Sequence, residues 1–304
     1  MHLWNHYHTP ASVDEALELL AHYDGTARIV AGGTDLLLEI RQSHRPPQEA
    51  LIDITRIPEL GCISHDADGI YIGAAVTHSQ IVNSSLLAAH TTCLVESCGM
   101  IGGPQVRNVG TLGGNVAHAL PAGDGTTSLV ALDAEVEVIV QGERRWVHIL
   151  QMFKGPGRAL IDPSRDLLLG FRFGMCREHE ASAFKRVMRP QGVALPVLGC
   201  AVWVRLSADG LRYDDARVCI GPVGPTPMRA EAVEDALRGQ PVGDEALTTV
   251  VEAARASLHP RTSKYRASAE YRAAMIEVLL RRALPLAVQR ARTGQATPEG
   301  TDLQ

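Results

Sequence analysis

The sequence predicts an α+β protein, and three observations carry that reading. Upstream of Glu180, short strand-like and helix-like runs are separated by glycine turns. From Ser182 onward, strand patterns come first and three amphipathic helix patterns follow, the segregated order of an α+β unit. Neither the dinucleotide fingerprint G-x-G-x-x-G nor a G-K-[ST] P-loop accompanies the glycine turns, which disfavours the two common nucleotide folds.

Ser12-Val13-Asp14-Glu15 has the capping-box pattern, and Ala16, Leu17, Leu19 and Leu20 supply an apolar helix face as far as about Tyr23. Arg28 to Ala31 reads as a short buried strand running into Gly32-Gly33, and Thr34 or Asp35 can cap a helix from Leu36 to about Gln42. A strand, a glycine turn and a helix start make a candidate anion site, because free N–H groups gather there. A bare Gly-Gly is also an ordinary tight turn.

Ala50–Ile54 and Gly69–Gly73 read as strands around a turn at 57–60, Thr77 caps a short helix through Val82, and a helix runs from Thr92 to Met100. The break Ile101-Gly102-Gly103-Pro104 leads into Thr111-Leu112-Gly113-Gly114-Asn115, a second glycine loop whose amides could approach a ligand closely. Asp124, after Pro121 and before Gly125, has the setting of a turn aspartate.

Leu129–Ala134 begins helix-like, Glu135–Val140 alternates as a strand should, and Trp146–Ile149 is placed to pair with it. Arg165–Phe173 and Ser182–Val187 are further strands, and Val197–Leu206 pairs with Ala216–Ile220. Helix patterns cover Arg229–Leu237, Ala246–Leu258 and Ser268–Arg290.

The 304 residues, 45% hydrophobic and 21% charged, suffice for two or three domains with ample core. A net charge of −5 without any basic cluster argues against a nucleic-acid partner. Residues 1–11 lack the basic and apolar regions of a signal peptide, and no apolar run has membrane-spanning length, so a cytoplasmic protein with no membrane association is expected.

The six cysteines, Cys62, Cys93, Cys98, Cys176, Cys200 and Cys219, form no C-x-x-C pair. Zinc and iron–sulfur centres need four closely arranged ligands, so reduced buried thiols are expected and no metal site is assigned. His2, His6 and His8 crowd the N-terminus without acid or cysteine partners nearby. No G-x-S-x-G or H-E-x-x-H occurs, nothing proposes a general base, and no catalytic residue is assigned.

Together the strings VAGGTDLL (30–37), PQVRNVGTLGGN (104–115), Pro121, Asp124 and LVALDAEVEV (129–138) resemble the FAD-binding subunits of molybdenum hydroxylases, the flavin subunits of xanthine dehydrogenase and carbon monoxide dehydrogenase. The resemblance runs from Met1 to about Arg290. It implies a two-part FAD-binding domain of p-cresol-methylhydroxylase type, residues 1–57 and 58–177. A C-terminal α+β domain of the carbon monoxide dehydrogenase flavoprotein type would follow at 178–290; beyond the resemblance, the polar Gly- and Pro-containing composition predicts a disordered tail at 291–304.

The resemblance further implies FAD contacts at Ala31, Gly32, Gly33, Thr34, Asp35 and Leu36, with the pyrophosphate against this loop. Ile101 or Gly102 would lie near the flavin, Thr111, Leu112, Gly113, Gly114 and Asn115 around the FAD, and Asp124 at the ribityl or far end. Leu168 would stand beside the flavin, unless it is simply core. Lys185 would bring a cation close to the FAD, unless it is a solvated strand lysine. Val193 occupies about the place where one version of the family carries an acid, which puts any role for that acid in doubt.

A molybdopterin-binding large subunit and a [2Fe-2S] small subunit are the implied partners, as a dimer of heterotrimers. Electrons would pass from the [2Fe-2S] subunit to FAD and on to NAD⁺, oxygen or another acceptor. Two alternatives stay open: a self-contained flavin oxidase of the same fold superfamily, and a non-redox module binding a phosphate-containing ligand.

Overall fold

In the computed structural model, which describes residues 3–189 and 195–300, the chain divides into two units. The first comprises the chain up to Gln80 with Pro104–Ala119 and Ala134–Gly174; the second comprises Ile81–Gly103, Leu120–Asp133 and the chain from Met175 on. His2 and Val193 lie outside the described residues.

The first unit holds a parallel sheet in the order Trp4–His8, Gln48–Asp53, Ala27–Val30. The helix Val13–Tyr23 begins where the sequence places it, with the Ser12 hydroxyl accepting from the Glu15 N–H at 3.1 Å and the Glu15 carboxylate accepting from Ala11. Its buried Val13, Ala16 and Leu20 join Ala27, Ala50 and Ile52 in one core. A five-stranded antiparallel sheet follows, ordered Ile63–His65, Ile70–Gly73, Leu167–Phe173, Glu135–Val140, Glu143–His148. Glu143–His148 pairs with Glu135–Val140, as the sequence predicts for the run at Trp146, and the register sets Trp146 opposite Glu137. Leu167 and Leu169 enter the shared core, whereas the alternation of a strand sends Leu168 to the other face.

The second unit is built on the antiparallel sheet Glu180–Met188, Pro196–Leu206, Tyr213–Gly221. Val197 to Val204 are buried without a break, so both faces of the central strand are covered. The helices Glu231–Leu237, Asp244–Ser257 and Ala269–Thr293 contribute Val233, Val250, Leu279, Leu280 and Leu284 to its core. Two further helices, Thr92–Gly99 and Asp124–Ala131, are buried at every residue.

Some elements differ from the sequence reading. Trp4–His8 is a strand, though its residues show no apolar alternation; it lies at the sheet edge. The second glycine loop is largely helical, as Leu112–Ala117, and the helix expected from Leu129 starts at Asp124. The last helix runs on to Thr293, and beyond it the Thr297 carbonyl and the Glu299 N–H are hydrogen-bonded within the second unit. Among the described residues, no helix is long and apolar enough to cross a membrane.

Candidate cofactor site

The strand Ala27–Val30 delivers the chain to a turn in which Gly33 takes φ +66°, left-handed backbone that favours glycine. Beyond it the helix Leu36–Arg41 starts at Asp35 without a side-chain cap. Among the described residues, the five adjacent N–H groups of Gly32, Gly33, Thr34, Asp35 and Leu36 find no acceptor within the chain. Backbone donors do not stay unpaired; here they are left for solvent or for an anionic ligand. Thr34 and Asp35 are exposed and Ala31, Gly32, Gly33 and Leu36 half-buried, so this surface is reachable.

The second glycine pair behaves differently. Thr111 caps the helix Leu112–Ala117 by accepting from the Gly114 N–H at 3.0 Å. The Leu112 N–H donates to the Val76 carbonyl, that of Gly113 to Ala74 and that of Asn115 to Thr111, each at 3.0 Å. The amides expected to cradle phosphate here are thus engaged inside the protein. A Cβ on the buried Gly113 would stand 2.5 Å from the Ala74 carbonyl oxygen, which makes this a packing glycine. Gly114 is exposed, and its added Cβ would meet only the Thr111 hydroxyl, at 3.1 Å. A Cβ on Gly32 would overlap the Val109 carbonyl and sit 2.8 Å from the Gly110 Cα. Backbone against backbone, the two glycine segments are therefore brought together, as a shared site requires.

His78, missed by sequence reasoning, is buried beside this junction, its N–H donating to the Gly110 carbonyl at 3.0 Å. Burial, with the Arg107 charge, holds its imidazole down to about 4 from 6.5. The neutral form is therefore the folded one, and its stabilisation is complete above pH 6.5 and lost as the pH falls toward 4. His78→Phe is expected to flatten that part of the stability-against-pH curve, measured by urea unfolding at stepped pH; an unchanged slope would discount this assignment.

In the second unit, Gly102 takes φ +51° just after the helix Thr92–Gly99 and next to Ile101. Arg186 was also missed. Its guanidinium donates to the Met100 carbonyl and forms an ion pair with Asp124, both side chains being almost fully buried. Burial pushes the Asp124 carboxyl up to about 6, against the pull of Arg186. The available signal was the Lys185-Arg186 pair in a strand: alternation must turn one of the two cations inward. The outer one, Lys185, pairs with Glu299. Leu168, in the first unit, is buried at 5% exposure beside a register shift at Leu168/Gly170.

Fold and loop define a chain of α+β architecture with an anion-ready turn and neither a Rossmann fingerprint nor a P-loop. Residues 3–173 match the family model described as the FAD binding domain in molybdopterin dehydrogenase, and residues 182–287 match the CO dehydrogenase flavoprotein C-terminal domain. The chain belongs to the FAD-binding subunit family of the molybdopterin dehydrogenases.

The xanthine dehydrogenase FAD-binding subunit of Escherichia coli O157:H7 is 32% identical over 94% of this chain and 96% of its own length. The carbon monoxide dehydrogenase medium chain of Hydrogenophaga pseudoflava is 32% identical over 91% of this chain and 95% of its own. A solved structure of carbon monoxide dehydrogenase from that organism superposes with a TM-score of 0.86 at 32% identity, covering 94% of this chain and 97% of the other. The expected architecture, an FAD-binding domain followed by a flavoprotein C-terminal domain, is the observed one.

Proposed function

We propose that this chain is the electron-relaying FAD subunit of a cytoplasmic multisubunit molybdenum hydroxylase. A molybdopterin-binding large subunit oxidises the organic substrate, and a [2Fe-2S] small subunit passes the electrons on, in a dimer of heterotrimers. NAD⁺, oxygen or another acceptor then removes them. The observation that carries this reading is the run of five open amides from Gly32 to Leu36 in a chain of this family. FAD, when bound, supplies exchange of electron pairs with organic partners and of single electrons with metal clusters.

The chain's own residues bind and tune. Gly32 to Leu36 donate N–H groups to the pyrophosphate, while Thr111 to Asn115 shape the adjoining wall through side chains and packing. Asp124 keeps one carboxylate oxygen on Arg186 and offers the other to a hydroxyl of the cofactor. Ile101, Gly102 and Leu168 line the flavin, and Lys185 brings a positive charge toward it. The two FAD-binding subdomains, 1–57 and 58–177, and the C-terminal domain, 178–290, remain the organisation we propose.

The purified chain is expected to release FAD, not FMN, to the supernatant on acid precipitation. Gly33→Val is expected to fold with the parent's circular dichroism and to lose most of that flavin. A β-branched residue at φ +66° is strained by about 1–3 kcal/mol, which displaces the loop carrying the open amides. Full flavin occupancy in this variant would contradict the assignment. For the relay itself, flavin bleaching by a hydroxylase substrate, assayed anaerobically, should require both partner subunits. Bleaching in the lone chain would instead mark a self-contained oxidase.

A further inference from the structure

Lys185 is held by Glu299, a residue far along the chain and beyond the last helix. That helix, Ala269–Thr293, ends on Gly294, whose N–H donates to the Arg290 carbonyl at 2.8 Å. Arg290 then reaches forward and donates to the Thr297 carbonyl at 2.6 Å. The N–H of Glu299 itself donates to the Glu96 carboxylate at 2.8 Å. Glu96 and Arg290 form an ion pair whose side chains are 0% and 3% exposed, so the segment is tied to groups that have no freedom of their own. At its end, a Cβ on Gly300 would lie 3.2 Å from the Met100 methyl, one residue before Ile101. The segment therefore runs past both Lys185 and the approach to Ile101-Gly102.

We propose that residues 294–300 are a strap whose Glu299 is the positioning residue and counter-ion of Lys185, setting how much positive charge that lysine presents to the flavin. The proposal rests on the FAD reading above. An ammonium against a carboxylate presents a dipole, whose field falls off faster than that of a lone cation. Glu299 therefore weakens the stabilisation Lys185 gives to negative charge on reduced flavin. The carboxylate is 56% exposed, so the pair is weak enough to open, unlike the buried Glu96–Arg290 anchor. Lys185 in turn holds the Glu299 carboxyl below the ordinary range.

The test compares the full chain with Glu299→Gln and Lys185→Gln. In the flavin-stripped protein, acylation of Lys185 by acetic anhydride, followed by mass spectrometry, should proceed about two- to fivefold faster in Glu299→Gln, the range for freeing an exposed pair. With FAD bound, the flavin reduction potential should move positive in Glu299→Gln and negative in Lys185→Gln. Unchanged acylation, or unchanged potential despite faster acylation, overturns the proposal. A parent chain that retains no flavin defeats the FAD reading and the tuning role with it, while the acylation measurement reports separately on the ion pair.

Discussion

Replacing Glu96 by alanine is expected to destabilise the second unit by about 3–5 kcal/mol, the usual consequence of leaving a buried charge without its partner. Glu96 lies in a fully buried helix and its carboxylate accepts from three sources. One oxygen takes the Phe184 N–H at 2.7 Å; the other takes the Arg290 guanidinium at 2.6 Å and the Glu299 N–H at 2.8 Å. Arg290 spends a further donor on the Ser182 carbonyl at 2.9 Å. The pair thus joins the helix Thr92–Gly99, the edge strand Glu180–Met188, the last helix and the strap. Arg290→Ala should produce a loss of the same size. Removing both partners together, as Glu96→Leu with Arg290→Met, should harm the unit less than the sum of the single changes, since no charge is stranded. Hydrogen exchange of the amides of Glu180–Met188 reads the effect locally. Protection reduced by less than tenfold in both single variants would show that the pair does not anchor this unit.

Gly113→Val is expected to cost the first unit about 3 kcal/mol or more, at the upper end for overpacking because backbone must move. Its Cβ would stand 2.5 Å from the Ala74 carbonyl oxygen and 2.9 Å from the Ala74 Cα. The Gly113 N–H donates to that same carbonyl, so retreat breaks a hydrogen bond as well. Loss of flavin in this variant would accompany loss of fold, in contrast to Gly33→Val. Gly114→Ala is the companion control. Its added methyl faces only the Thr111 hydroxyl, and alanine gains roughly 1 kcal/mol of helix propensity over glycine. Thermal unfolding followed by far-ultraviolet circular dichroism should separate the two variants clearly. A Gly113→Val protein melting with the parent would refute the close backbone contact.

Much of the local structure was legible because its cause is local. The capping box at Ser12 and the cap at Thr77 each satisfy an N–H group three residues away, and both helices start there, whereas the cap expected at Thr34 or Asp35 does not form. Glu135–Val140 and Val197–Leu206 are strands whose pairing came out as read, although the alternation of Glu135–Val140 does not carry into burial, since Val136 to Ile139 are all buried. The glycine-rich strings pointed to the family, which the family models match.

What escaped the sequence depends on partners distant along the chain. Two glycines discourage a helix, yet Leu112–Ala117 is helical because the Val76 and Ala74 carbonyls receive its first N–H groups. The same contacts press Gly113 against backbone while Gly114 stays exposed; the two look alike as letters. Arg186 and Glu96 are ordinary charged residues until Asp124 and Arg290 meet them in a buried interior. By itself, the sequence determined the α+β class, the caps at Ser12 and Thr77, the pairing of the long strands and the family, all properties of short windows or of their order. Only the tertiary structure decided which amides stay open, which charges are buried and what holds Lys185, because each is settled by desolvation and by a contact across tens to hundreds of residues.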